Sequence, residues 1–208
     1  MIHYYEKIDS LKDFKKRNDQ LGILERNVPS GANSFFKKIN QISFSISGKV
    51  VKSKAKDDIH ALIKDELPKK ILYEAFYQDW LIDMSNICKT FCTMQAEKSI
   101  SFWLGSERGC KRYHVDMVPF RLLVTYAGKG TELLPDHAAD RDAFMTGKSN
   151  KYIVKDVNAI RYMNKWDISI FRGGYEGILH RTPDSALDGS SSILMRLDNK
   201  SFLENIEK

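Results

Sequence analysis

The sequence predicts an α+β protein in which N-terminal helices precede a β-rich part of sandwich or barrel type. Two observations predict it. Residues 69–97 carry apolar side chains at helical spacing over many turns, the strongest such pattern in the chain. From residue 99 the texture changes to short apolar runs separated mostly by Gly, Pro, Asp or Asn, which is unlike an alternating α/β sheet. No Gly/Ser/Pro-rich spacer marks the change near residue 98, so 1–208 is expected to form one domain. Residues 1–98 would be its mostly helical part with one early strand, and 99–208 its β-rich part.

In chain order, the first forty residues read as helical or irregular, with Leu11 and Phe14 at helical spacing and turn punctuation at 27–31. Residues 41–51, QISFSISGKVV, alternate apolar and small polar side chains as a half-buried strand does. After a hydrophilic stretch, Pro68 suits the first turn of a helix over 69–97. Its apolar positions include Ile71, Leu72, Ala75, Phe76, Trp80, Ile82, Met84, Ile87, Phe91 and Met94. The runs SISFWL, RYHVDMV, FRLLVTYAG, TELL, KYIV, AIRYM, DISIF, GILHR and SSILMRLD then read as strands.

Composition narrows the function classes. A chain of 208 residues should bury roughly 70% of its unfolded surface and needs no disulfide or metal to fold. No run reaches the ~18 consecutive apolar residues of a membrane span. The N-terminus mixes acids and bases like no secretory signal, and three cysteines, an odd number, fit a reducing cytoplasm. The net charge of +6 belongs wholly to residues 1–70, with fifteen Lys/Arg against nine Asp/Glu. Nucleic acid, an acidic partner or an anionic surface could use that excess. The basic residues are interrupted by acids and form no block, which favours a solvated face.

Within RYHVDMV, His114 and Asp116 stand two apart on an expected strand, so both point to one face. A third metal ligand could come from His180 in GILHR. Two imidazoles and one carboxylate on Fe(II) leave three positions open, and the same set suits Zn(II) with one water. The pair alone is weak evidence: five His and seventeen Asp give about 0.4 H-x-D by chance, and a strand histidine bonded to its neighbours explains it equally. Arg121 and Thr125 share one strand face as candidate substrate contacts or supports, and Tyr126 takes the other. Cys88 and Cys92 read as core fillers of the long helix. Cys110, about 13 Å from His114 along a straight strand, reads as too far for joint ligation. Phe102 and Trp103 read as core. Residues 127–144 suit either a lid or an ordinary strand connection.

DISIFRGG, followed by His180, resembles the strand and glycine corner that precede the distal histidine of jelly-roll oxygenases. That resemblance implies a double-stranded β-helix, cupin-like core, with Arg196 of SSILMRLD anchoring the distal carboxylate of 2-oxoglutarate. The sixteen residues from His180 to Arg196 exceed the spacing in many such enzymes. The string CKRYHVDMVPFRLLVTYAGKGTELLPDHAADR, with HRTPD, ILMRLD, LGILERN and the helix around Asp83, resembles a bacterial family named as a domain of unknown function, number eighteen twenty-six. This second resemblance implies a link to metal homeostasis. Together they imply an Fe(II)/2-oxoglutarate-dependent oxygenase acting on a small molecule or peptide, with His114, Asp116 and His180 as metal ligands. The competing expectation is a non-catalytic zinc- or iron-binding protein using the same three residues.

Overall fold

The computed structural model describes residues 1–40, 42–187 and 192–202, and most of the short apolar runs become strands of two sheets. The strands are β1 (Ile2–Tyr5), β2 (Leu21–Leu24), β3 (Ser45–Val51), β4 (Ser99–Gly105), β5 (Phe120–Ala127), β6 (Glu132–Leu134), β7 (Arg161–Tyr162), β8 (Ile168–Arg172), β9 (Leu179–Arg181) and β10 (Ile193–Asp198). Seven form a sheet in the order β1-β2-β8-β5-β10-β4-β3, and three form a second in the order β7-β6-β9. All pairings are antiparallel except β1 with β2. The helices are α1 (Ala32–Ile39), α2 (Ala55–Ile63), α3 (Lys69–Leu72), α4 (Ala75–Gln95), α5 (Arg141–Met145) and α6 (Asn150–Ile153).

Period-two alternation decides what each central strand contributes to each side. In β5, Leu122, Val124 and Tyr126 join the core beneath the helices, while Leu123 joins the cluster on the other face with Leu133, Phe171 and Ile178. In β10, Ile193, Met195 and Leu197 do the same under α4, leaving Leu194 and Arg196 on the opposite face. The larger core therefore lies between α4 and the seven-stranded sheet, centred on Trp80, Tyr77, Phe91 and Phe102, all fully buried. The space between the two sheets is left for polar side chains at one end, and there the candidate site forms.

Several expectations need correction. The first forty residues are not only helical or irregular: β1 and β2 flank a 3-10 run, Ile8–Lys16, that buries Leu11 and Phe14. All four residues of β2 are buried, and four are too few to show a period; its strand character comes from the ladder that β8 offers. The N-terminal part thus holds three strands rather than one. The strand read over 41–51 begins at Ser45, and Gln41 lies outside the described residues, as does Ser191 of the last run. The helix read over 69–97 breaks at Tyr73 and Glu74, where Glu74 adopts extended backbone before α4 and accepts a bond from Lys38 at 2.7 Å. Ile82, counted on its apolar face, is 45% exposed. KYIV is helical in α6, whose Asn150 side chain ties it to the backbone of Lys111 and Tyr113. RYHVDMV is no regular strand but one antiparallel bridge, His114 to His180.

The two short resembling pieces near the N-terminus and in α4 meet. Arg26, just past β2, pairs with Asp83 at 2.5 Å, and Asp83 also accepts the Tyr126 hydroxyl at 2.9 Å. Arg26 donates as well to the carbonyl of Trp166, whose backbone has a positive φ of 73°. The basic residues Lys15, Lys16, Arg17, Lys37 and Lys38 are exposed, and three of them pair with acids: Lys16 with Asp13, Arg17 with Asp19 and Lys38 with Glu74. Cys88 and Cys92 are buried in the main core, as their helical spacing implies. Among the described residues no helix is long and apolar enough to cross a membrane.

Candidate metal centre

Three elements bring the site together. β9 presents His180; the segment after Cys110 presents His114 through the reciprocal backbone bonds of the bridge, each 3.0 Å; and two residues on comes Asp116. Residues directly opposite in an antiparallel bridge point the same way, so the two imidazoles meet at 4.4 Å between centroids, their planes tilted by 51°. Phe171 of β8 packs against His180 at 4.6 Å. One donor atom from each of His114, Asp116 and His180 lies within 4.8 Å of the others.

The hydrogen bonds set which atoms face inward. His180 Nδ1 lies 3.0 Å from the Ile178 carbonyl and His114 Nδ1 lies 3.2 Å from the Arg112 carbonyl. A carbonyl only accepts, so each Nδ1 carries the proton and each Nε2 presents its lone pair. Such outer bonds orient metal-binding histidines. Burial pushes the His180 pKa down to about 4, which keeps it neutral at pH 7 despite Asp116 nearby. Burial also works against charge on His114, but the bond to the Cys110 thiol and its charge outweigh this and raise its pKa.

Asp116 is divided between two tasks. Oδ1 accepts a charge-assisted bond from Arg121, which also donates through Nε to Asp198 at 2.8 Å. Oδ2 is buried, 3.4 Å from His180 Nε2, with no hydrogen-bond partner among the described residues. An orphaned carboxylate oxygen costs free energy unless something binds it. Metal–ligand bonds of about 2.0–2.2 Å place cis donors about 3 Å apart, close to this spacing. The donors present therefore fit a divalent transition metal: two imidazoles and one carboxylate, grouped on one side.

The other sequence candidates sort cleanly. Arg121 and Arg196 line a cavity of about 330 Å³ that opens onto His114, Asp116 and His180. Thr125 is on the same face of β5 as Arg121 but lies outside that lining, buried beyond Leu123. Tyr126 points the other way, to Asp83. Residues 127–144 are a structured connection: they supply β6, with Thr131 reaching the cavity. Phe102 is core, but Trp103 is not; it forms a cavity wall beneath the Arg196 guanidinium at 5.3 Å. Cys110 also lines the cavity on the His114 side, because the chain bends at Arg112 where a straight strand was assumed. Sequence reasoning passed over Arg108, Arg181 and Thr182 in the lining; Arg181 and Thr182 lie in the HRTPD string beside His180, and Arg108 lies in no motif.

Gly173 holds the Asp116 segment in place. A Cβ there would lie 1.8 Å from the Val118 carbonyl oxygen and 2.6 Å from that of Asp116, both backbone atoms that cannot swing aside. Gly173→Ala is expected to cost about 3 kcal/mol or more, at the upper end of overpacking, and to weaken metal binding with it. Thermal melts and a metal titration of the variant check both; unchanged metal affinity would separate the corner from the site.

The family model described as "Protein of unknown function (DUF1826)" matches residues 6–198. The chain belongs to that family. No curated protein matches the DUF1826 chain. Among solved structures, a bsmA homolog from Methylobium petroleophilum PM1 matches with a TM-score of 0.45 and 8% identity, covering 95% of each chain. The Fe(II)/(alpha)ketoglutarate-dependent dioxygenase TqaL matches with a TM-score of 0.46 and 10% identity, covering 93% of this chain and 86% of that one.

Proposed function

We propose that this DUF1826 protein is an Fe(II)- and 2-oxoglutarate-dependent oxygenase built on a double-stranded β-helix. The observation that carries the reading is the triad itself: His114 and His180 with Nε2 turned inward, and a buried Asp116 Oδ2 with no hydrogen-bond partner among the described residues. Topology supports the core. The order β8-β5-β10-β4 faces β7-β6-β9, and the His114 bridge extends the smaller sheet by a fourth position beside β9. That gives two facing four-position sheets, the jelly-roll plan.

Bound by these three residues, Fe(II) would supply oxygen activation and a chelation point for the oxoacid. The chain's own part is positioning. Arg121 holds Asp116 by one oxygen and leaves the other free. Arg196 approaches Asp198 at 3.1 Å through Nε without hydrogen-bond geometry, and its guanidinium stacks between Trp103 and Phe202. A planar cation fixed in this way suits the distal carboxylate of 2-oxoglutarate. Leu123, Leu194 and Trp103 share the sheet face of Arg196 and give the cavity an apolar wall beside it.

The test is consumption of 2-oxoglutarate to succinate by Fe(II)-loaded protein in air. Turnover is expected in the wild type, to vanish in His114→Ala, and to need about tenfold or more 2-oxoglutarate in Arg196→Met, the cost of one charge-assisted anchor. Zinc-loaded protein should be inert. One observation favours a second reading, a non-catalytic zinc protein: the Cys110 thiol, its pKa lowered first by its bond to His114, adds a soft donor beside the triad. Tight stoichiometric zinc with no oxoacid dependence would establish that reading and defeat the first.

A further inference from the structure

Four arginines line the cavity, and the described residues satisfy them unequally. Arg121 is matched by Asp116 and Asp198. Arg181 is matched by Glu132 at 2.7 Å and Asp184 at 2.8 Å. Arg196 shares Asp198. Arg108 differs: its Nη1 bonds the Lys129 carbonyl at 3.0 Å and the Ser192 hydroxyl at 2.9 Å, and neither is an anion. Among the described residues no carboxylate pairs with it, and neither Nε nor Nη2 makes a hydrogen bond. Burial lowers its pKa only to about 10, so it is a cation at pH 7.

Arg108 is half-buried, and charges withdrawn from water are normally paired or ligand-bound. With Nη1 fixed by two neutral acceptors, Arg108 is held in one orientation and its Nε–Nη2 edge is left as a two-donor fork, the shape that receives a carboxylate or phosphate. Trp103, Leu123 and Leu194 give the cavity an apolar wall, and Glu107 at its rim is exposed and accepts from the Ser43 hydroxyl at 3.5 Å. At about 330 Å³ the cavity is at the small end of ligand pockets, which run from about 300 to 1,000 Å³.

We infer that Arg108 binds the acidic group of the substrate, and that the substrate is a small organic acid with a short apolar body. This rests on the oxygenase reading, in which Arg196 takes the cosubstrate. The two arginines then divide the anions of the site: one carboxylate of 2-oxoglutarate at Arg196, and the carboxylate or phosphate of the substrate at Arg108, with its apolar body toward Leu123 and Leu194. A fixed acid end is what would set which carbon of the body faces the triad.

The experiment uses the full chain loaded with Fe(II) under anaerobic conditions and saturated with 2-oxoglutarate, whose visible absorption band reports oxoacid chelation in the same sample. Hexanoate, hexyl phosphate and the neutral hexanamide are titrated, and binding is read by calorimetry. At least one acid is expected to bind about tenfold or more tighter than the amide, the better of the two naming the acid class. Arg108→Met should erase that preference while leaving the band, and Arg108→Lys, which keeps the charge without the fork, should keep only part of it. Equal binding of acid and amide, no acid binding at millimolar concentration, or an undiminished preference in Arg108→Met would overturn the inference. Loss of the band in Arg108→Met would also overturn it, making Arg108 the cosubstrate anchor. If the wild type shows the acid preference and its loss in Arg108→Met but no band, the anion site stands and the oxygenase reading falls.

Discussion

Asp116→Ala is expected to lower metal affinity well over about 100-fold, more than the 10–100-fold typical of losing a group that only supports a ligand, while the chain stays folded. The two effects separate because of how Asp116 is used. Among the described residues its Oδ2 has no hydrogen-bond partner, so its removal costs the apo-protein little. Its Oδ1 serves Arg121, but Arg121 keeps Asp198 at 2.8 Å and is not stranded. A loss of about 1–3 kcal/mol from that one charged bond is expected. Metal content after dialysis, measured with a thermal melt on the same preparation, checks it. A variant that unfolds, beside a wild type that holds no metal, would make the three residues structural.

Arg121→Met is expected to act in the opposite sense, chiefly on stability. It leaves buried Asp116 without its arginine and buried Asp198 with only Arg196 at 3.1 Å, the two acid side chains being 1% and 2% exposed. Breaking a buried pair from one side costs about 3–5 kcal/mol, and here two acids lose one cation. The deficit should depend on pH with a definite sign. Burial already raises the Asp198 pKa, and Arg121, by its charge and its bond, opposes this more than Arg196 does. Without Arg121 the folded-state pKa rises further, so the native state binds a proton that the unfolded chain has released. Stability then falls as pH rises through that window. The variant should therefore sit nearest the wild type in acid and furthest from it near neutrality. Denaturant melts across pH check this, and Arg121→Met with Asp198→Asn should recover part of the loss. A deficit that does not vary with pH would show that lost packing, not stranded charge, is responsible.

These two residues show how far the chain could be read without coordinates. His114, Asp116 and His180 were accessible because H-x-D spacing puts two donors on one side of any extended segment, and that holds although the segment is a single bridge rather than a strand. The ion pair of Arg121 with Asp198 joins positions 77 apart in sequence, and no local period encodes it. Cys110 stands outside the metal-donor group, as its reading implied, but it lines the same cavity because 110–114 bends rather than running straight. Trp103 follows the alternation of β4 onto the cavity face, yet its bulk and hydrophobicity alone suggested core. β1 and β2 were invisible for a different reason, since four-residue strands owe their existence to the partner edge rather than to their own pattern. By contrast β4, β5, β8 and β10 are long enough for their apolar content to show, and all four were read.

The central claim is that His114, Asp116 and His180 form a metal site with room for an oxoacid. Anaerobic titration of the metal-free protein with Fe(II) and then 2-oxoglutarate tests it most directly, through the weak visible band that chelation of the oxoacid produces. A band saturating at one iron and one 2-oxoglutarate per chain, and absent in His180→Ala, is the predicted result. No band in a wild type that binds iron stoichiometrically would contradict the oxygenase; no metal bound at all would contradict the site.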